Sequence, residues 1–284
     1  ENVETIKTGV MLSDDAGIGD EAMEMLCVQL EIWGDNDDVA DVLGEIGDAR
    51  AVEALAEVIF DEWGVSGSAV LEALGKIGDA SAIDHLIPAL ESHCEELGEK
   101  YAEAETVREG FGYGWVFFGR EITDAIIQIG SKKAIDPLLT ILYSGIESWD
   151  WWLPGFAAEA LTSLGWKPET DEQKASYLIA TKDWEGCKKT GEPLVTKAVL
   201  YLGSPLYVCA RVREGWMCDE GTKVLEAIDS FGETAIKIVK ADEKYGEDML
   251  DRFYFGKEIV ARWSADEDVR NAAKEALKKL GYEV

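Results

Sequence analysis

Residues Val39 to Leu90 carry one pattern twice. Val39-Ala-Asp-Val-Leu-Gly-Glu-Ile-Gly-Asp-Ala-Arg-Ala-Val-Glu-Ala-Leu returns as Ala69-Val-Leu-Glu-Ala-Leu-Gly-Lys-Ile-Gly-Asp-Ala-Ser-Ala-Ile-Asp-His-Leu. Gly47-Asp48 and Gly78-Asp79 stand 31 residues apart, and the apolar positions around them coincide. A unit of that length holds two short helices, each apolar on one face. No such unit buries its own stripe, so neighbours must stack and share a core. That single constraint selects an array of helical pairs.

The same phrasing extends in both directions. Helical periodicity begins near Asp20, with Ala22, Met25, Leu26, Leu30 and Trp33 expected on one face. Gly34-Asp-Asn-Asp-Asp then turns and caps a second helix, Val39 to Ile46. Later modules pair Val52–Phe60 with Ser68–Ile77, Ile83–Leu97 with Arg120–Ile129, and Lys132–Tyr143 with Pro154–Leu164. Each second helix closes on a glycine (Gly47, Gly78, Gly130, Gly165), where a left-handed backbone is cheap only for that residue. The Asp or Ser after the glycine is placed to cap the next helix. Ala51, Ala82 and Ala134, with Leu55, Leu86 and Leu138, suit tightly stacked helices.

At these residues the chain resembles the HEAT-like repeat, in the short form of the phycobilisome lyases, with its Ala-Leu-x-x-(Leu/Ile)-Gly-(Asp/Ser)-x-x-Ala-(Ile/Val)-x-x-Leu core. The resemblance covers Asp20 to Gly165 and returns in Asp266-Glu-Asp-Val-Arg-Asn-Ala-Ala-Lys-Glu-Ala-Leu-Lys-Lys-Leu-Gly281. It implies an all-α fold, a right-handed alpha-alpha superhelix of the HEAT/armadillo-like solenoid type. Residues 1–284 are expected to form a single solenoid: regular repeats over 20–165, divergent helical pairs over 166–255 and a capping repeat over 256–284. Segment Leu164 to Trp184 is similar to an extended inter-repeat segment of the family, and helices are expected at Pro193–Leu202, Asp219–Phe231 and Glu233–Lys244. The family includes scaffolds, lyases and fused modules, so it specifies fold and leaves function open.

Charge narrows the partner. The net charge is −30, and residues 1–105 carry 27 Asp/Glu against four Lys/Arg, whereas the tail from Asp242 is nearly balanced. Such a surface repels a phosphate backbone, which disfavours nucleic acid, and favours a basic protein or peptide. A surface kept acidic for solubility is the plainer reading. No apolar run approaches the ~18 residues of a membrane span. No basic-then-apolar leader stands at the start, although the chain opens on Glu1 rather than Met. A cytoplasmic protein is expected.

Motifs for chemistry are scarce. Cys27, Cys94, Cys187, Cys209 and Cys218 are odd in number and scattered without CxxC spacing, so reduced and mostly buried thiols are expected. His85 and His93 are the only histidines, with no second pair to complete a metal site. The di-iron hydroxylases built on HEAT-like repeats need several His-Glu pairs, which this chain lacks. His93-Cys94 are adjacent on a helix and point apart. Arg211 and Arg213 near Cys209 form a local positive spot more readily than they activate a thiol. No nucleophile elbow, phosphate loop or dinucleotide motif occurs. No catalytic residue, metal or cofactor is expected.

Two stretches depart from the template. Gly78 to Gly130 spans 52 residues and inserts Arg108-Glu-Gly-Phe-Gly-Tyr-Gly-Trp-Val-Phe-Phe-Gly119, expected as a loop. Ser144-Gly-Ile-Glu-Ser-Trp-Asp-Trp-Trp-Leu-Pro154 is a second aromatic turn. Counted back from each closing glycine, the tryptophans fall into register: Trp33 at 14, Trp63 and Trp115 at 15, Trp149 at 16, Trp151 at 14, and Trp216 at 16 before Gly232. All are expected in the turn before a second helix, forming an aromatic ladder.

Two readings of that ladder stay open. The rings fill gaps between modules, or they make a recognition edge. On the second reading the site comprises Trp63, Phe111, Tyr113, Trp115, Phe117, Phe118, Trp149, Asp150, Trp151 and Trp152, with Glu121 and Asp124 as further carboxylates. The function expected is a non-enzymatic interaction or scaffold module for a partner protein or peptide, a basic one favoured. The alternative, implied by the resemblance, is a tetrapyrrole-handling lyase or chaperone in which Asp150 or Glu121 pairs with pyrrole nitrogens.

Overall fold

In the computed structural model the chain is all-α. The structure describes residues 18–33, 37–59, 67–92, 114–148, 153–191, 194, 197–199, 201–202, 223–231, 261, 267–279, 281 and 283. Twelve helices carry the account: α1 (Ile18–Trp33), α2 (Asp37–Ile46), α3 (Val52–Glu57), α4 (Gly67–Ile77), α5 (83–92), α6 (Gly114–Ile129), α7 (Ile135–Ser148), α8 (Leu153–Ser163), α9 (Asp171–Ala180), α10 (Trp184–Thr190), α11 (223–231) and α12 (Glu267–Lys279). Their described residues form two compact units. One comprises those of 18–92, 114–141 and 156–167, the other those of 142–155 and 168–283.

In the first unit the helices form two rows. First helices pack on first helices (α1 on α3), second helices on second helices (α2 on α4, α4 on α6), and each hairpin packs on itself. The closing glycines set the register. Gly47, Gly78, Gly130 and Gly165 have φ of 71°, 70°, 67° and 76°, as expected from sequence. At the first three, the glycine N–H donates to the carbonyl four residues back (Leu43, Leu74, Ile126) at 3.1–3.2 Å, a single-bond left-handed cap. At Gly165 the cap is tighter. Gly165 N–H bonds Thr162 and Trp166 N–H bonds Leu161, both at 3.0 Å.

Counting back from these glycines lays out the core. The residues eight, seven, five and four before it are buried in all four second helices: Val39, Ala40, Val42 and Leu43; Val70, Leu71, Ala73 and Leu74; Ile122, Thr123, Ala125 and Ile126; Ala157, Ala158, Ala160 and Leu161. At ~100° per residue these four positions cluster on one side of the helix, and the residue six before the glycine stands on the opposite side.

Close approach in the second row depends on missing side chains. A Cβ on Gly44 would lie 2.8 Å from Ala73 Cα, and one on Gly75 would lie 3.0 Å from Gln128 Cδ. The first contact is against backbone; the second is against a side chain that can move. After Gly47, Gly78 and Gly130 the chain turns through one 3₁₀ turn: Ala49–Ala51, Ala80–Ala82 and Lys132–Ala134. Asp48, Asp79 and Ser131 cap these turns, accepting from the N–H of Arg50, Ser81 and Lys133. The Arg50 guanidinium bonded to Asp48 holds that carboxyl below the usual carboxylate range, against a smaller upward push from burial.

Three sequence expectations are corrected. Helix α6 begins at Gly114 rather than Arg120, so Gly114–Gly119 is helical and not loop. Phe118, Ile122, Ala125 and Ile129 continue one helical stripe through the glycines, and packing overrides their low propensity. Helix α7 likewise runs on to Ser148. In α1 the buried face is Met23, Leu26 and Leu30, while Met25 is 61% exposed.

In the second unit Thr170 and Gln173 form a reciprocal capping box at the start of α9. Asp183 caps α10 by accepting from Gly186 N–H at 2.8 Å. Lys182, between these helices, takes a left-handed φ of 60°. Trp184 meets Phe231 of α11 edge to face with centroids 6.2 Å apart, and Lys188 Nζ lies 5.7 Å from the Phe231 ring centre. Gly145 leaves room for Pro154, whose Cγ would lie 2.7 Å from a Cβ. The helix of the terminal repeat is present as α12, followed by Gly281 at φ 89°.

Two stability predictions follow from the glycine and cap geometry. Gly44→Ala is expected to cost ~1–3 kcal/mol by overpacking against Ala73. Gly47→Ala should cost ~1–2 kcal/mol through φ alone, since nothing lies within 4 Å, and Gly47→Asn should recover part of that. Urea midpoints measure both, and an unshifted Gly44→Ala midpoint would rule out the close approach. For the cap, Asp48→Ala should cost about 1 kcal/mol at pH 7. Because the folded carboxyl titrates below its unfolded value of 3.8, that advantage exists above pH ~4 and disappears as pH falls through the folded value. A penalty that is the same at pH 7 and pH 2.5 would contradict the assignment.

Candidate functional site

The feature that emerges from the register is electrostatic. Six residues before each closing glycine stands a carboxylate: Asp41, Glu72, Asp124 and Glu159. The opposite side of each helix is buried, so these side chains are turned outward, at 52%, 59%, 57% and 40% exposure.

Two cations link the four in pairs. Lys76 lies 2.9 Å from Glu72 and 3.7 Å from Asp41 of the preceding module. Arg120 lies 3.4 Å from Asp124 and 2.7 Å from Glu159 of the following module. The hydrogen bond to Glu72 raises the Lys76 pKa, so that ammonium stays charged across the neutral range. On the same ridge of α2 stand Asp37 and Glu45, one turn to either side of Asp41. The row therefore carries six carboxylates against two cations.

The first helices make a second, sparser link between modules. His85 Nε2 lies 3.3 Å from Glu53 Oε2, and Lys133 is paired with Asp84. Glu53 and Asp84 are the fifth residue after their respective Asp48 and Asp79 caps, so an acid of one module meets a base of the next. His85 thus spans two repeats on the surface. Among the described residues no group of three or more His, Cys, Asp and Glu side chains could hold a metal ion. Cys187 is buried in α10, and desolvation pushes its thiol up to about 11, which leaves it protonated and unreactive at neutral pH.

The aromatic expectations meet the structure at few points. Trp63, Phe111, Tyr113, Trp149, Asp150, Trp151 and Trp152 lie outside the described residues, as do Trp216, His93, Cys94, Cys209 and Cys218. Trp115, Phe117 and Phe118 fall on the first turns of α6 rather than in an inter-helix turn, and Trp33 is the last residue of α1. Trp33 and Trp115 therefore share a similar count from the glycine without sharing a backbone setting: Trp33 ends α1, whereas Trp115 lies in the first turn of α6, which starts earlier than its siblings. The side chains of Trp115 and Phe117 lie outside the description. Phe118 is half-buried, with its ring edge at Gly67. Glu121 accepts a hydrogen bond from the Ser68 hydroxyl at 2.8 Å, and Asp124 belongs to the carboxylate row.

Sequence reasoning did not single out the row or the close-approach glycines. The signal for the row is present in the sequence: the residue six before each closing glycine is an acid in all four modules. Gly44 and Gly75 sit three before their closing glycines, but a close approach belongs to two helices and is invisible in one.

Comparison with known proteins agrees with the repeat reading. Residues 38–61 and 68–92 match the PBS lyase HEAT-like repeat family. No curated protein matches the chain. A crystal structure of an engineered protein is similar at 16% sequence identity, covering 99% of this chain and 79% of that one, with a TM-score of 0.30. Among the described residues, no helix is long and apolar enough to cross a membrane. Residues 38–61 and 68–92 are thus PBS lyase HEAT-like repeats, set in a stack of helix pairs that continues beyond them.

Proposed function

We propose that this chain is a non-enzymatic interaction module whose row of outward carboxylates on α2, α4, α6 and α8 receives a basic, extended segment of a partner protein. The observation that carries the reading is the recurrence of an exposed acid at one register position in four consecutive modules, with six carboxylates facing two cations. Helices packed ~8–10 Å apart space such acids by about three residues of extended chain at ~3.3 Å each. A segment with Lys or Arg at every third position matches that spacing. Each exposed pair contributes at most ~1 kcal/mol, so affinity comes from several pairs acting together and from steering by the net charge. The aromatic residues Trp63, Phe111, Tyr113, Trp115, Phe117, Trp149, Trp151 and Trp152, with Asp150, supply the apolar part of the same recognition edge in this reading.

The test is fluorescence anisotropy with a labelled 12-residue peptide carrying Arg at every third position, against one with the same residues clustered. The spaced peptide should bind more tightly. Its affinity should fall at least tenfold between 50 and 300 mM salt, and should be lost in a Glu72→Lys/Asp124→Lys variant. Equal binding by that variant, or no preference for spacing, would rule out the row as the site. Trp115→Ala and Trp151→Ala should each weaken the spaced peptide; unchanged affinity in both would remove the aromatic edge from the proposal.

A further inference from the structure

Helix α6 is longer than its counterparts. It starts 16 residues before its closing glycine, whereas α2, α4 and α8 start 10, 11 and 12 before theirs. The additional turn and a half, Gly114–Gly119, carries Trp115 and Phe117. It also contains two glycines, each costing ~1 kcal/mol relative to alanine in a helix. As an extension of an existing helix it carries no nucleation cost, but its glycines make propagation weak, so packing against a neighbour decides how firmly it holds.

Two contacts to the first turn of α4 are suited to that task. The ring of Phe118 occupies the place a side chain at Gly67 would take: a Cβ there would lie 2.9 Å from Phe118 Cζ and 3.1 Å from Cδ2. One residue further along α4, the Ser68 hydroxyl donates to Glu121 Oε1 at 2.8 Å. Phe118 and Glu121 are three residues apart and share a helix face, so consecutive residues of α4 engage both. Within α6 the buried Thr123 hydroxyl donates to the Gly119 carbonyl at 2.8 Å, which ties the extension to the helix body.

We propose that Phe118 is a positioning residue. Seated at Gly67 and backed by Glu121, it clasps α6 to α4 and keeps Gly114–Gly119 helical, which fixes the backbone that carries Trp115 and Phe117. The value of that fixed backbone rests on the recognition edge proposed above, but the clasp stands or falls without a partner. Gly67 has no left-handed φ, so an alanine there meets the ring and not a backbone penalty.

Hydrogen exchange by mass spectrometry on the full chain, with no ligand added, tests it. Gly67→Ala should lower protection of amides in 114–119 by at least tenfold, while 122–129 and α2 keep theirs and the urea midpoint moves little. Phe118→Leu in the Gly67→Ala background should restore part of the protection, because the shorter side chain clears the new methyl. Phe118→Ala alone should reproduce the loss, and it serves if Gly67→Ala does not fold. Unchanged protection of 114–119, or equal loss along all of α6, would overturn the clasp. Peptide binding that fails while this exchange pattern holds would count against the recognition edge alone.

Discussion

A left-handed glycine ends each second helix, and the rest of the molecule is counted from it. At φ near 70° the glycine N–H closes on the carbonyl four residues back at Gly47, Gly78 and Gly130 and three back at Gly165, and the chain leaves in a direction an L side chain would resist. Asp48, Asp79 and Ser131 then catch the next turn at its first free N–H. Because the exit is the same in successive modules, the next helix starts at the same height. Residues eight, seven, five and four before the glycine therefore always face inward. One conformational requirement thus sets stacking, core and surface together.

The acidic row is the outward consequence of that inward regularity. Two carboxylates ~10 Å apart on neighbouring helices repel by about 0.4 kcal/mol in water, before screening. Burying one leucine contributes ~1.5–3 kcal/mol. Each module buries several apolar side chains at the fixed positions, so packing tolerates the repulsion with ease. Lys76 and Arg120 reduce it further by each joining carboxylates of two modules. On the proposed reading, the excess of carboxylates over cations in this row is what a basic partner engages.

Much of this was legible in the sequence, and the remainder was hidden for identifiable reasons. Gly47, Gly78, Gly130 and Gly165, their caps, and the helix pairs up to Gly165 follow from local chemistry: a residue type tied to a backbone angle or to one hydrogen bond. The start of α6 did not, because Gly110, Gly112, Gly114 and Gly119 argue for loop. The contact between Phe118 and Gly67 of α4 belongs to two helices and is invisible in the sequence of α6 alone. Gly44 and Gly75 resemble ordinary helix glycines until Ala73 and Gln128 appear opposite them. Acidity was read as a bulk property of residues 1–105, which obscured its placement at one register position. Phe118 was grouped by residue type with ligand-facing aromatics, whereas its neighbour Gly67 gives it a packing partner.

The 52-residue interval between Gly78 and Gly130 shows what this architecture permits. Helix α6 packs on α4 as α4 packs on α2, and the same four register positions are buried in each, although the interval between closing glycines is longer by 21 residues. Closing a longer loop costs only ~0.6 kcal/mol per doubling of its length, and second helix packs on second helix on both sides of the interval. An insertion between a first and a second helix therefore leaves the stack intact. The aromatic and glycine-rich composition of Arg108–Gly119 departs from the template at the point where departure is cheapest. A selective pressure for binding can act there with the least damage to the fold, provided a clasp such as Phe118 at Gly67 anchors the insertion's end.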